Sequence, residues 1–255
     1  PETYARIRHV LISSKDYLIA QLTGECVGDV AACSTAGAMN IRNGQWDAEL
    51  CEVAEIDMTI LPHLHNPQDN IGTVTESAAQ RTGFSAGTAV YAGIGDAGAT
   101  TLASGVSHPG QYNINIGTSG WIATVSPEPF TDKPGAANLA FGVEEGFVNA
   151  VPFLNAGDVH KWVTGVFSDG DYAEAHQLIE TSKPGSNGVL CLPYLVGERF
   201  PVMNPNIRGA YVGLDPDTAK ADMMRAALEG VAFSIRQGME SFDAKPTEIS
   251  LIGGG

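Results

Sequence analysis

The sequence predicts an α/β protein that contains a domain boundary, and three features carry this prediction. A β-rich run leads into a glycine-rich turn and then a helix of small residues over 88–104. Strand-like segments dominate residues 111–151. A long amphipathic helix is predicted over 219–242, because its apolar residues recur at steps of three and four. The turn-forming residues Gly105–Gly110 mark the predicted boundary.

The part before the boundary is predicted to be mostly helical. Tyr4–Leu22 has apolar positions spaced for an amphipathic helix, with a break near Ser13 and a stop at Gly24. The stretch 28–46 is rich in Ala, Gly, Ser and Thr, which is typical of loops with short strand pieces. Two further helices are predicted over 48–56 and 76–82, and a loop over 61–67.

The part after the boundary is predicted to be a sheet with packed helices. An antiparallel meander is expected from the strand segments 111–116, 121–125 and 147–151. Two shorter helices are predicted over 157–167 and 172–181. The last strand, 249–252, runs directly into Gly253–Gly255. Because a strand that feeds a glycine run usually leads into a helix, we expect this chain to be part of a longer protein.

The charge balance restricts the possible partners. The chain has 14 Lys and Arg residues against 29 Asp and Glu residues, which gives a net charge of −15. Such a surface repels phosphate backbones, so nucleic acid and anionic membranes are not expected as partners. A nucleotide remains possible, because backbone N–H groups and a metal ion can hold phosphate locally. No apolar run approaches the roughly 18 residues of a membrane span, and Pro1–Arg6 lacks the order of a signal peptide.

The four cysteines and the His63–His65 pair do not predict a metal site. No cysteines form a C-x-x-C pair, so we expect reduced, mostly buried thiols in a cytoplasmic protein. His63 and His65 have no acidic or thiol neighbour in the sequence, and a solvated loop is predicted for them.

The turn Gly93–Gly98 matches the G-x-G-x-x-G pattern of dinucleotide-binding proteins and lies between a strand and a helix. An NAD-dependent oxidoreductase would need an acidic residue about 20 positions later, but no Asp or Glu lies between Ala97 and Pro127. Asp96 would also place a negative charge in the turn that receives pyrophosphate. Asp96 is therefore interpreted as either a helix cap or a carboxylate that faces a substrate.

A second small-residue turn, Gly117–Gly120, is predicted between two strands. Its successive N–H groups and the hydroxyls of Thr118 and Ser119 suit phosphate oxygens. An ordinary hairpin is the alternative, and the turn alone does not decide between them.

Taken in order, these segments resemble the FGGY family of carbohydrate kinases, and the xylulokinase-like members in particular. Gly93–Asp96 is similar to the family's G-x-x-D, and Ile116–Gly120 to its phosphate-binding hairpin. Leu192–Arg199 resembles L-P-Y-L-x-G-E-R, and the match continues through Arg208–Leu214 to the helix that carries Asp222–Glu229. The family's N-terminal D-x-G-T strand is missing, so the resemblance implies an internal fragment that is inactive by itself.

The resemblance implies an α/β fold of the ribonuclease-H-like type found in actin and hexokinase, with two domains and a cleft. Residues 1–104 would be the C-terminal part of the first, sugar-binding domain, and residues 105–255 most of the second, nucleotide-binding domain. The implied reaction is phosphorylation of a sugar, sugar acid or polyol by ATP with Mg²⁺. A non-catalytic nucleotide-binding paralogue is the main alternative. A homodimer is possible in this family.

The resemblance also implies roles for individual residues. Asp96 would be the general base and would contact the substrate, next to Ala97. At Ala97 many relatives have Asn or Gln, so the identity of the substrate stays open. Glu198 and Arg199 are expected to form a structural ion pair. The residues expected to bind ATP are Gly117, Thr118, Ser119, Gly120, Gly157, Gly253, Gly254 and Gly255.

Overall fold

The computed structural model describes residues 2–133, 135–242 and 245–254. The chain forms two compact units. The first consists of Pro1–Ala103, Val125–Pro129 and Asn138–Asn149, and the second of Ser104–Thr124, Phe130–Ala137 and Ala150–Gly255. Helices and strands are mixed in the chain, as the sequence predicts.

The elements up to residue 103 are short. The helices are α1 (Ser14–Thr23), α2 (Val30–Cys33), α3 (Ala48–Val53), α4 (Glu76–Thr82) and α5 (Asp96–Ala103). The strands are β1 (Val27–Asp29), β2 (Met39–Asn40), β3 (Gln45–Trp46), β4 (His63–His65), β5 (Asn70–Thr73) and β6 (Ala89–Tyr91). They pair as β1 with β4, β2 with β3 and β5 with β6.

The later elements are longer. The strands are β7 (Gln111–Ile116), β8 (Gly120–Ser126), β9 (Ala137–Ala140), β10 (Phe147–Phe153), β11 (Leu190–Leu192), β12 (Ala210–Val212) and β13 (Glu248–Ile252). The helices are α6 (Gly157–Phe167), α7 (Tyr172–Thr181) and α8 (Lys220–Glu240).

The helix expected over Tyr4–Leu22 is confirmed only after the predicted break near Ser13, where it forms α1. Before that break the described chain has a 3₁₀ turn at Tyr4–Arg6 instead of a longer helix. The start of α1 is fixed by a capping box: the Lys15 N–H donates to Ser13 Oγ at 3.2 Å, and the Ser13 N–H donates to Asp16 Oδ2 at 3.0 Å. The helix ends at Gly24, as predicted, where φ is +87°.

The loop expected at 61–67 is also wrong, because His63–His65 forms strand β4. This strand pairs in parallel with β1, and His65 lies opposite Asp29. The alternating pattern of three residues is too short to predict a strand by itself. Pairing with the distant strand β1 satisfies the backbone hydrogen-bonding groups of this segment, and this pairing makes the segment a strand.

The sheet of the later part differs from a simple meander. Five strands lie in the order β13-β7-β8-β10-β9, with β7 and β8 antiparallel and β13 parallel to β7. The last strand of the chain therefore ends beside the β7–β8 hairpin. This position brings Gly253 close to the residues that the sequence analysis assigned to phosphate binding.

The main core lies in the second unit. Its buried members include Tyr112 and Ile122 from the sheet, Val163 from α6 and Met224 from α8. Helix α8 approaches β11 closely at Gly230, where an added Cβ would lie 2.4 Å from the carbonyl oxygen of Cys191. Burying each large apolar side chain stabilises the fold by about 1.5–3 kcal/mol relative to exposing it.

Candidate active site

Asp96 is the first residue of α5 and its side chain is exposed. Its Oδ1 accepts the N–H of Ala97 at 2.8 Å, and Oδ2 has no hydrogen-bond partner among the described residues. The carboxylate therefore binds the N–H of the next residue and presents its other oxygen to solvent. A helix cap accepts the N–H of a residue two or three positions later, so Asp96 does not have the geometry of a cap, whereas its free oxygen is compatible with the substrate-facing interpretation.

Asp96 lies in a cleft of about 490 Å³ within the first unit. The cleft is lined by residues from α1, α2, α5 and their adjoining segments, and by one residue of β9: Ile12, Ser13, Ser14, Lys15, Ala31, Ala32, Thr35, Ile94, Gly95, Asp96, Ala97, Gly98 and Leu139. Lys15 and Asp96 are the only ionisable members of this lining. Three hydroxyls, those of Ser13, Ser14 and Thr35, supply further polar groups.

The glycines on either side of Asp96, Gly95 and Gly98, pack closely against their neighbours. A Cβ on Gly95 would lie 3.1 Å from Ala32 Cβ and 3.2 Å from Ala32 Cα. A Cβ on Gly98 would lie 2.4 Å from Ile94 Cδ1. Two of the three glycines of the G-x-G-x-x-G pattern are thus accounted for by close packing, Gly95 against α2 and Gly98 against Ile94.

A buried charge cluster lies beside the cleft and was missed by the sequence analysis. Lys15 Nζ lies 2.6 Å from Asp16 Oδ1 and 2.8 Å from Asp29 Oδ2, and both carboxylates are fully buried. Burial lowers the pKa of Lys15, but the hydrogen bonds and charges of Asp16 and Asp29 outweigh it and hold this pKa above its usual value. The signal was a single Asp within the apolar run 27–33.

The second group of predicted residues lies at the β7–β8 hairpin, in the second unit. The Gly117 N–H donates to the Ser119 carbonyl at 2.9 Å, which closes the turn. The side chains of Thr118 and Ser119 are exposed. Gly120 is fully enclosed, since an added Cβ would lie 2.4 Å from Phe153 Cζ and 2.5 Å from the Asn115 carbonyl oxygen.

Gly157 and Gly253 lie next to this hairpin. The Gly157 N–H donates to the Gly117 carbonyl at 2.8 Å. A Cβ on Gly253 would lie 2.2 Å from the Ile116 carbonyl oxygen, whereas a Cβ on Gly254 would meet open space. The residues expected to bind ATP therefore lie at or next to this hairpin, except Gly255, which lies outside the described residues.

Two family models match this chain. The N-terminal domain of the FGGY family of carbohydrate kinases matches residues 1–103, and the C-terminal domain of the same family matches residues 112–255. The chain belongs to the FGGY family of carbohydrate kinases. The resemblance read from the motifs is confirmed.

Curated FGGY relatives carry two different names. The gluconokinase of Bacillus subtilis (strain 168) is 31% identical over 258 residues, which are 95% of this chain and 50% of the relative. A xylulose kinase of Staphylococcus epidermidis is 33% identical over 261 residues, which are 100% of this chain and 52% of the relative. The chain spans about half the length of the curated relatives it matches.

Solved structures confirm the predicted kinase fold. A ligand-bound xylulose kinase from Lactobacillus acidophilus matches with a TM-score of 0.87 and 28% identity over 94% of this chain and 50% of that one. Gluconate kinase from the same organism matches with a TM-score of 0.85 and 27% identity, again over 94% and 50%. The actin- and hexokinase-type fold implied by the resemblance is therefore shown, for about half of a complete FGGY chain.

The ion pair predicted between Glu198 and Arg199, in the FGGY motif Leu192–Arg199, is wrong. Glu198 is buried, and its Oε1 accepts the N–H groups of Leu154 and Arg199, each at 2.8 Å. Its Oε2 accepts from Asn155 Nδ2 at 3.0 Å. No ion pair joins the Glu198 and Arg199 side chains in the described part of the chain. Neutral N–H donors satisfy the carboxylate, and the Arg199 side chain stays exposed.

The FGGY chain shows neither a protein metal cluster nor a membrane helix in its described part. No group of three or more His, Cys, Asp or Glu residues could hold a metal ion within 2–133, 135–242 and 245–254. Over the same ranges no helix is both long enough and apolar enough to cross a bilayer.

Proposed function

We propose that the protein containing this chain transfers the terminal phosphoryl group of ATP to a hydroxyl group of a sugar, sugar acid or polyol. The observation that carries the proposal is the exposed Asp96 carboxylate in its cleft, in a chain that belongs to a family of carbohydrate kinases. The neighbouring carboxylates Asp16 and Asp29 are buried and paired with Lys15, so Asp96 is the one available to a ligand.

Asp96 acts as the general base in this proposal. A substrate hydroxyl attacks the γ-phosphorus, the bond from that phosphorus to the bridging oxygen of ADP breaks, and the hydroxyl proton moves to the carboxylate. Oδ1 is engaged by the Ala97 N–H, which leaves Oδ2 to accept this proton. Fixed orientation by the backbone lowers the entropic cost of reaching the attack geometry.

The β7–β8 hairpin holds the phosphates. Thr118 and Ser119 would donate their exposed hydroxyls to phosphate oxygens, and Gly117 and Gly120 allow the backbone to approach closely. Gly253 and Gly254, with Gly255, would lie near the adenosine. Mg²⁺ would neutralise the charge of the ATP phosphates, to which it would bind through phosphate oxygens while keeping water ligands.

The two parts of the chain take different substrates in this proposal. Residues 1–104 belong to the sugar-binding domain and residues 105–255 to the nucleotide-binding domain. Ala97 lines the cleft without a side-chain hydrogen-bonding group, so the hydroxyls of Ser13, Ser14 and Thr35 are better candidates for substrate contacts. A cytoplasmic location stays a prediction from the scattered cysteines, and a homodimer stays a prediction from the resemblance. The 255-residue chain alone is expected to be inactive, and turnover by it would contradict that expectation.

The test uses the full-length protein that contains this sequence. ADP release with Mg-ATP is measured across pentuloses, hexuloses, aldonates and small polyols, for the wild type and for Asp96→Asn. We expect turnover with one substrate class, reduced by about 10²- to 10⁴-fold in Asp96→Asn, as loss of a general base predicts.

Asp47→Asn is the matched control, because Asp47 also accepts N–H groups at a helix start, at 3.1 Å, but lies outside the cleft. It should keep wild-type turnover. If ATP binds but no substrate is phosphorylated, the protein is better explained as a non-catalytic nucleotide-binding paralogue.

A further inference from the structure

The buried charge cluster of Lys15, Asp16 and Asp29 connects parts of the chain that line the Asp96 cleft. Both carboxylates are fully buried, and the Lys15 side chain is 24% exposed. A carboxylate removed from water needs a partner, and the single ammonium group serves two of them. Burying two carboxylates against one ammonium group costs free energy unless the three charged groups keep a fixed geometry with good contacts.

Each carboxylate of the cluster also holds the start of a helix. Asp16 Oδ2 accepts the N–H of Ser13 before α1, at 3.0 Å. Asp29 Oδ1 accepts the N–H groups of Ala31 and Ala32 in α2, both at 3.0 Å. Lys15 therefore joins the N-terminal ends of α1 and α2 through one ammonium group.

The turn that carries Asp96 packs against both sides of this junction. A Cβ on Gly95 would lie 3.1 Å from Ala32 Cβ, so the backbone next to Asp96 rests on α2. A Cβ on Gly93 would lie 3.6 Å from Lys15 Cδ, so the start of the turn rests on the lysine stem. We therefore expect a displacement of Lys15 or of α2 to shift the backbone before Asp96, because closely packed groups move together.

We propose that Lys15 is a positioning residue for Asp96, and that Asp16 and Asp29 are its anchors. The cluster fixes the ends of α1 and α2, and these fix the Gly93–Gly95 backbone and with it the direction of the Asp96 carboxylate. This inference rests on the proposed function, in which Asp96 is the base.

Lys15 also lines the cleft, so a direct contact with substrate is the competing role. The two roles differ in their kinetic consequences. A positioning residue acts on the chemical step, so its loss lowers kcat and leaves the KM of the sugar nearly unchanged. A residue that only binds substrate would mainly raise KM.

The first test compares Lys15→Met, Lys15→Arg and Asp29→Asn in the full-length protein. We expect Lys15→Met to lower kcat by about 100-fold, the loss expected from a misplacement of roughly 1 Å. Lys15→Arg keeps the positive charge and should recover most of the activity. Asp29→Asn keeps the oxygen that caps α2 but loses the negative charge. We expect it to displace the Asp96 carboxylate less than Lys15→Met does, and to lower kcat by about tenfold. Asp47→Asn again serves as the control with unchanged kcat.

The second test does not depend on activity. Hydrogen exchange of peptides spanning 29–36 and 92–99 is followed in the same variants. We expect Lys15→Met and Asp29→Asn to speed exchange in both peptides by about tenfold or more, since local opening becomes easier. Asp47→Asn should change neither peptide.

The outcomes separate this inference from the proposed function. If Asp96→Asn keeps wild-type turnover, the assignment of the base is wrong, and the exchange data still decide whether Lys15 orders the 92–99 segment. If Asp96→Asn is inactive while Lys15→Met keeps its kcat or changes only KM, the positioning role is overturned. Should Lys15→Met fail to fold, Asp29→Asn and Lys15→Arg decide: unchanged exchange and unchanged kcat in Asp29→Asn would overturn the proposal.

Discussion

The N–H of Gly157 donates to the carbonyl oxygen of Gly117 at 2.8 Å, which joins the first residue of α6 to the tip of the β7–β8 hairpin. The next N–H, that of Asp158, donates to the Thr118 carbonyl at 3.1 Å. The first N–H groups of a helix have no partner within the helix, and here the hairpin supplies it. The hairpin is therefore held in place while the Thr118 and Ser119 hydroxyls remain exposed for a ligand.

The enclosure of Gly120 gives a prediction for stability. Gly120→Ala would force a methyl group against Phe153 and the Asn115 carbonyl, and we expect a loss of about 1–3 kcal/mol in the free energy of unfolding. Urea denaturation of the full-length protein measures it. Gly165→Ala is the control, because Gly165 is in α6 with no heavy atom within 4 Å of an added Cβ. That variant should gain about 0.5–1 kcal/mol from helix propensity. Equal stabilities for the two variants would contradict the packing argument.

Gly253 and Gly254 provide a matched pair of neighbours. Gly253 has φ of +109° and an added Cβ would lie 2.2 Å from the Ile116 carbonyl oxygen. We expect Gly253→Ala to lose stability by about 1–3 kcal/mol, the usual cost of a strained backbone conformation. Gly254→Ala should keep wild-type stability, because its Cβ would meet nothing within 4 Å.

ATP titration of the same two variants tests the nucleotide assignment. A weaker affinity in Gly254→Ala at unchanged stability would support a nucleotide near this glycine. Wild-type affinity in Gly254→Ala would contradict the proposed contact with adenosine.

Asp222 gives a prediction for pH dependence. Hydrogen bonds from the Ser182 hydroxyl, the Ala219 N–H and the Asn187 amide hold the pKa of Asp222 below its usual value. A carboxylate with a lowered pKa in the folded state stabilises the fold above the pKa of the unfolded chain, and this contribution is lost as pH falls through the folded pKa. Stability should therefore fall below about pH 4, and Asp222→Asn should show a smaller fall.

The measurement for Asp222 is the free energy of unfolding between about pH 6 and the lowest pH at which the protein stays in solution. Asp217→Asn serves as the control, because Asp217 is exposed and its side chain makes no hydrogen bond within the described part of the chain. A pH profile in Asp222→Asn as steep as that of the wild type would mean that Asp222 does not contribute.

The four cysteines should differ in reactivity. The pKa of Cys33 is raised to about 12, mainly by burial and also by the negative charges of Asp16 and Asp29, which outweigh the opposite effect of Lys15. At pH 8 its thiolate fraction is then on the order of 1 in 10,000. Native alkylation followed by mass spectrometry should modify the partly exposed Cys26 and spare the buried Cys33, Cys51 and Cys191. All four should react in denaturant, and rapid native labelling of Cys33 would contradict the buried cluster.

Much of the secondary structure was predictable because it depends on local signals. The strand 111–116 and the helices 157–167, 172–181 and 76–82 have the predicted bounds. Several of these segments have a capping or stop residue that marks an end, such as Gly83 after α4 and Asp171 before α7. The predictions failed for short elements. The first part of the helix expected over Tyr4–Leu22 is a 3₁₀ turn at Tyr4–Arg6, and the loop expected at His63–His65 is a strand that pairs with the distant strand β1.

The sequence by itself determined the family, the long helices and the identity of the candidate residues, since motifs and periodicity are properties of neighbouring residues. The tertiary structure decided which residues meet. Only the fold shows that Lys15 joins Asp16 to Asp29, that Ala32 supports the turn before Asp96, and that β13 brings Gly253 to Ile116. The physical reason is that close packing and charge pairing act between segments far apart in the chain. A pattern of neighbouring residues does not specify which distant segments come into contact.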